Sequence, residues 1–417
     1  MKTLTAGLIF LSLSPALPAG EVQRLNLKAY LDEVRAGNPE IAAAAALSGV
    51  YSARIKQAWL PEDPQLEFER MYADGTLGSG AAERNILIRQ AFRNPYKMYL
   101  QKGAAAAENG YYSGLKEDRI NRTLAEARAA FYEYALAWHH ELVYSENLEL
   151  SKKFSRIAET RYAVNQGSQS DAIKAQVELS KAMNMVITAR QEKETAAARV
   201  NNLRGKRPDA PVAEPEPLEA NAPVFEYSSL EAAVLAKNPY LAAMASRLKS
   251  AEKKLSLARA GYAPDFMLSW RRRASDDAAM NGTYDVSLGL TVPLWFAKQS
   301  AGTREARSER DMAAAEYEAA GNSVLLELKT ITVKLDYYRR LTDLYGNTAL
   351  PQAEVSLKAS EAAYQAGKTD FLDLVDANRT LLETKREYYE YIAAYASWLG
   401  RLESLTGAEF GKNGDPL

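Results

Sequence analysis

The stretch TYDVSLGLTVPLW, residues 283–295, alternates in character. Tyr284, Val286, Leu288, Leu290 and Val292 are apolar, and Thr283, Asp285, Ser287, Gly289 and Thr291 between them are polar or small. A period of two marks a strand with one oily face and one wet face. Nearly everything around it reads as long, Ala-rich, charged helix. A helical chain with isolated strands needs a reason for them.

Working outward, the chain is written twice. Asn38-Pro39 in VRAGNPEI recurs 200 positions on as Asn238-Pro239 in VLAKNPYL. Pro64 recurs as Pro264, and Gly167 in AVNQGSQSDAIKAQ recurs as Gly367 in AYQAGKTDFLDLVD, both at the same offset. Gly205 and Gly407 end a fourth pair at a spacing of 202. Several landmarks in one order at nearly one spacing indicate an internal repeat. Each half predicts a helix, two short strands, a very long helix broken by Gly167 or Gly367, and a last helix. In the first half these fall near 27–60, 65–72, 84–92, 96–165 and 170–203; in the second the strands fall near 266–272 and 283–294. The segments ADGTLGSGAA and ASDDAAMNG join the strands. The chain is expected to divide into a leader over 1–20, a first repeat over 21–205, a Pro-rich linker over 206–227, a second repeat over 228–407 and a short tail over 408–417.

The lengths fit together. A helix of about 70 residues spans about 105 Å, and two of about 34 residues stacked end to end match it. Each half can therefore form two columns, one continuous and one of two stacked helices, packed as a coiled coil.

Composition narrows the class. Lys+Arg number 52 against 53 Asp+Glu, without the basic stripe of a nucleic-acid binder. Cysteine is absent, which excludes disulfides, thiolate metal sites and a lipidated N-terminal Cys. The opening MKTLTAGLIFLSLSPALPAGE has Lys2, an apolar run and then Pro15 and Pro18, the pattern of a secretory signal peptide. Only two histidines occur, His139 and His140, and neighbours in sequence do not share a helix face. No nucleophile–base–acid constellation and no phosphate loop stands out, so neither an enzyme nor a cofactor is expected.

Strands of this length suit a bilayer-spanning barrel. Four strands cannot close one, and open edges are not tolerated in lipid. Two copies would give eight strands and three would give twelve, the latter wide enough for a lumen. Trp59, Tyr72, Phe92, Tyr96, Tyr262, Trp270, Trp295 and Phe296 flank the strands, either as interfacial girdles or as packing where strands meet helices. The run Arg271–Arg273 is expected at the outer rim, facing lipid phosphate or solvent.

At the far end, DFLDLVD places Asp370, Asp373 and Asp376 three apart at a helix start, near one face. Acids there favour the helix dipole. Repeated around a symmetry axis, they would also form a ring that favours cations. Asp171 is a weaker partner from the first half. Pro351 lies inside the second long helix and is expected to kink it.

These features together resemble the TolC-like outer membrane efflux protein family over essentially the whole mature chain. The most specific block is LPQAEVSLKASEAAYQAGKTDFLDLVDANRTLLE, residues 350–383. RQAFRNPYK, residues 89–97, is similar to a motif of the heavy-metal efflux branch, with Tyr96 where that branch has Gly. The resemblance implies a mainly α protein with a transmembrane β-barrel portion: a homotrimer with a twelve-stranded barrel in the outer membrane on a long periplasmic α-helical tunnel. It implies a periplasmic adaptor and an inner-membrane pump such as an RND transporter as partners. It places Asp373 and Asp376 at the tunnel entrance and Tyr364 in its closing network, with Thr369 where the family carries an Arg. The implied function is a passive exit duct, for metal cations or small toxic compounds. A protein-secretion duct and a structural periplasmic coiled coil are the competing readings.

Overall fold

The computed structural model describes residues 24–72, 83–220, 223–275, 281–408 and 410. The expected leader and the loop ADGTLGSGAA lie outside the described residues. Helices α1 (Leu27–Gly37) and α2 (Pro39–Gln57) lead to strands β1 (Gln65–Met71) and β2 (Glu83–Phe92), then to α3 (Pro95–Ala163) and α4 (Gln169–Leu203). The order repeats as α5 (Tyr227–Lys237), α6 (Pro239–Ala260), β3 (Asp265–Ser275), β4 (Tyr284–Thr291) and α7 (Phe296–Leu344). A π-helical turn (Tyr345–Ala349), α8 (Leu350–Gln365) and α9 (Phe371–Thr406) complete it.

The single helix expected over 27–60 is two helices. Pro39 has no N–H to give the preceding turn and disfavours helical backbone at Asn38. Asn38 is accordingly extended, at φ −74° and ψ 123°. Its Oδ1 accepts the N–H groups of Glu40 (2.8 Å) and Ile41 (3.3 Å), which caps α2. Its Nδ2 donates to the Leu203 carbonyl at the end of α4 (2.9 Å). Asn238 repeats the arrangement, accepting from Leu241 N–H (3.0 Å) and donating to the Leu405 carbonyl (2.9 Å). Both asparagines are buried. Gly205 and Gly407, just past those helix ends, each have φ +67°. A Cβ on Gly205 would stand 2.4 Å from the Gly37 carbonyl oxygen. The Asn-Pro and Gly landmarks are thus two sides of one contact, which stacks each repeat's first helices end-on against its last.

Beside these stacks runs α3, 69 residues and about 104 Å long. It packs against α2, α4, α6 and α9, while α7 packs against α6 and α9. Tyr30, Val34, Phe131, Tyr134 and Val200 form the core beside the Asn38 joint. Leu230, Val234, Leu328, Ile331, Leu402 and Leu405 form its counterpart beside Asn238. A third core, with Phe154, Leu357, Tyr364, Phe371 and Leu374, sits at the far tip.

One punctuation residue acts differently from expectation, and another is accompanied by a change of helix type. After α3 the left-handed residue is Asn165 (φ 58°), not Gly167, whereas Gly367 does take φ +72°. Asn tolerates that region because its short side chain bonds locally. At Pro351 the helix continues. The π-helical turn sits immediately before it, with the Leu350 N–H bonded to the Tyr345 carbonyl. A widened turn is one way a helix absorbs a proline that cannot donate to the turn before it.

The strands form one antiparallel sheet in the order β1-β2-β3-β4. The first hairpin, whose alternation is weaker, pairs Gln65 with Arg89 through to Met71 with Glu83. β3 extends into the expected loop as far as Ser275. β4 stops at Thr291, so Val292 lies outside the strand, because Pro293 follows and lacks a ladder N–H.

Asn38→Ala removes both the cap and the donor to the Leu203 carbonyl, and should cost about 1–3 kcal/mol. Asn38→Asp keeps the cap and should lose less. Thermal melts of the two variants should rank alanine below aspartate below wild type.

Candidate functional site

The pairing register sorts the sheet's side chains onto two faces. Leu66, Ile88, Trp270 and Val286 stand in one row across all four strands. Phe266 and Leu290 form part of another row on the same face, and Leu268 and Leu288 of a third. These apolar groups are largely open, with Phe68 72% and Leu288 74% exposed. So much exposed oil on one face of a sheet marks an interaction surface.

The other face is polar. Arg89 pairs with Glu67 (3.0 Å), Arg271 with Glu69 (3.8 Å) and Arg273 with Asp285 (2.7 Å). Ser269 and Ser287 share a hydrogen bond of 2.5 Å. Of the expected rim run, Arg271 and Arg273 thus face the polar side, and only Arg272 shares the apolar face. Of the expected strand residues, Tyr284, Val286, Leu288 and Leu290 lie on that apolar face.

Outer strands β1 and β4 each have a single neighbour. Below the sheet, Trp59, Tyr96, Tyr262, Trp295 and Phe296 are exposed where strands meet helices, and Tyr262 stacks on Phe296 with centroids 6.5 Å apart. The motif RQAFRNPYK forms the joint there. Asn94 Oδ1 caps α3 by accepting the Tyr96 N–H (3.0 Å). Asp265, opening β3, accepts from the Asn94 N–H (2.8 Å) and from Lys97 Nζ (2.9 Å). One carboxylate therefore ties a strand of the second repeat to the long helix of the first.

At the opposite end, Asp370 is the N-cap of α9, yet its side chain accepts no capping hydrogen bond. Asp373 lies in the first turn, and Asp373 and Asp376 are both exposed. Asp171 is half-buried in the first turn of α4, where its N–H is held by Ser168 Oγ (3.0 Å). Tyr364 is buried, edge-on to Phe371 with centroids 5.6 Å apart.

Arg161 completes this tip, and no spacing in the sequence ties it to Tyr364. It comes from the end of α3, its guanidinium 4.7 Å above the Tyr364 ring. It donates to the Tyr364 carbonyl and to the Gln166 carbonyl (3.0 Å). It therefore clamps the two tip turns together. Burial pushes the Tyr364 phenol pKa up; Asp171 adds to that and Arg161 opposes it. The Thr369 hydroxyl is buried without a hydrogen-bond partner.

His139 and His140 face different surroundings. His139 lies against Tyr389 (centroids 3.5 Å), whereas His140 is buried, its pKa lowered to about 4 by burial. Among the described residues, no group of three or more His, Cys, Asp or Glu is arranged to hold a metal ion. Nor is any helix among them long and apolar enough to cross a membrane.

Residues 231–408 match the family model for outer membrane efflux proteins. The cobalt-zinc-cadmium resistance protein CzcC of Cupriavidus metallidurans is 23% identical over 383 residues, 90% of this chain and 88% of CzcC. The solved structure of CusC superposes with a TM-score of 0.81 at 16% identity, covering 94% of this chain and 95% of CusC. The outer membrane protein VceC of Vibrio cholerae gives a TM-score of 0.79 at 17% identity, covering 92% and 97%. The chain has the fold of CusC and VceC.

Arg161→Met should loosen the tip without affecting the remote joints. Hydrogen exchange is expected to quicken in peptides spanning 161–171 and 361–371, with peptides around Asn38 and Asn238 unchanged.

Proposed function

We propose, starting from the match of residues 231–408 to the family model for outer membrane efflux proteins, that the protein is the outer-membrane exit duct of a tripartite efflux pump. The observation that carries this reading is the sheet: apolar on one face, ion-paired on the other, and open at both edges. Lipid accepts the first face and a water-filled lumen the second. The open edges require other copies of the chain, since every backbone group within the bilayer must be paired. Three copies give twelve strands, a barrel with room for a lumen.

The helical columns hang from this barrel into the periplasm. Their length reaches far enough to meet a periplasmic adaptor and, through it, an inner-membrane pump that supplies the energy. The duct itself is passive. Asp373 and Asp376, exposed in the first turns of α9, stand as a carboxylate ring at the entrance when the chain is repeated threefold. The cargo we infer is divalent metal cations. This rests on the likeness to a cobalt-zinc-cadmium resistance protein and on the RQAFRNPYK motif, and a ring of carboxylates suits it.

Two adjacent substitutions test the faces. Leu288→Arg puts a charge in lipid and should cost about 2–4 kcal/mol, depending on depth, abolishing stable assembly. Ser287→Arg points into the lumen and should leave assembly intact while changing conductance. Equal effects would refute the assignment of faces.

Planar-bilayer recordings test the duct. Wild type should open in discrete steps with cation preference, and Asp373→Asn/Asp376→Asn should reduce that preference. Unchanged selectivity would move the filter elsewhere. Failure of the protein to insert at all would refute the channel. For the cargo, loss of the chain should sensitise cells to cobalt, zinc or cadmium and leave resistance to uncharged drugs unaltered.

A further inference from the structure

The apolar face of the sheet carries three charged residues among those described, and all three are arginines. Arg70 on β1 is the direct partner of Arg84 on β2. Arg84 pairs with Ala274 and Ile86 with Arg272, so Arg272 lies diagonal to Arg84 on the same face. Direct partners of this kind stand about 5 Å apart at Cβ, and diagonal ones about 7–8 Å, within reach of one another's guanidinium groups. Arg70, Arg84 and Arg272 are exposed.

Like charges placed directly opposite across strands are unfavourable. Elsewhere on this sheet each ion-paired arginine meets a carboxylate on the polar face, as Arg89, Arg271 and Arg273 do. On the apolar face the described strands offer no carboxylate. The counter-charge has to come from outside the sheet.

Position says what that is. On β4 the apolar residues of this face run from Leu290 to Tyr284, which pairs with Arg272. Exposed Trp295 and Phe296 follow β4 on the helix side of the sheet. The three arginines therefore stand at the end of the apolar rows away from the helices, the outer margin when the sheet lies in the outer membrane. Guanidinium binds phosphate in bidentate, charge-assisted fashion.

We propose that Arg70, Arg84 and Arg272 form a binding site for the phosphate of a phosphorylated outer-leaflet lipid, one site per protomer, with the acyl chains laid along the apolar rows beneath. The site rests on the placement of the sheet in the outer membrane described above.

Native mass spectrometry of the assembled protein tests it. The protein is purified, exchanged into detergent with diphosphoryl lipid A or with its fully dephosphorylated form, and weighed. Wild type should retain the phosphorylated lipid and not the dephosphorylated one. Arg70→Gln/Arg84→Gln/Arg272→Gln should retain at least about tenfold less, the factor carried by a single charge-assisted hydrogen bond. Arg271→Gln, on the opposite face, should retain it normally.

Equal retention by the triple variant, equal retention of the dephosphorylated lipid, or no retention by wild type would overturn the site. Full displacement of the lipid by inorganic phosphate would show an unspecific anion site instead. Bilayer conductance of the same wild-type preparation separates the two readings. A protein that conducts but holds no phosphorylated lipid loses only the lipid site, and one that never inserts loses the channel as well.

Discussion

Everything in this molecule depends on the backbone groups left unpaired at the outer edges of β1 and β4. A four-stranded sheet with one apolar face is not stable alone in water, because that face is exposed. It is not stable alone in lipid either, because its edges are open. Both deficits vanish together when copies of the chain join edge to edge and curl the apolar face outward. In the proposed duct the strands are a fraction of a barrel that further copies of the chain complete.

The helices answer to a second constraint, which is reach. A column longer than most globular helices must be built with few interruptions, and the one continuous column of the first repeat is α3. Its partners are shorter, and they are spliced by a joint used twice. Asn38 and Asn238 each cap the helix that follows and hold the last carbonyls of a helix 165 or 167 residues further on. A buried side chain that satisfies a helix start and a helix end at once leaves little freedom in how the two stack. At the sheet, Asp265 plays a comparable part by holding Lys97 and the start of α3. At the tip, Arg161 does so by spanning two turns.

Much of this was legible in the sequence because it is periodic or punctuated. The alternation around Leu288 located β4, and the twofold recurrence of Asn-Pro and Gly located the joints. The meaning of those landmarks was less accessible. Asn-Pro read as a point within one helix, since the partner carbonyl of Asn38 lies at Leu203, far along the chain. The left-handed residue after α3 proved to be Asn165 because a Gly two positions on is not needed when Asn can occupy that region. Val292 keeps the alternation but leaves the strand, since periodicity reports side-chain character and not ladder hydrogen bonds. Arg161 escaped notice because the Tyr364 carbonyl it binds is 203 residues away and no local pattern marks it. The sorting of Arg271, Arg272 and Arg273 onto two faces required the register, which a run of three like residues does not disclose.

The most direct test of the whole account is a disulfide scan between copies. The chain has no cysteine, so any introduced pair reports without background. Single cysteines along β1 (Gln65–Met71) would be combined with single cysteines along β4 (Tyr284–Thr291) and oxidised in isolated outer membranes. If the edges close a three-copy barrel, one diagonal series of pairs should cross-link between chains, and the ladder of products should stop at three. Absence of any β1–β4 cross-link, or a ladder running on past three copies, would contradict it.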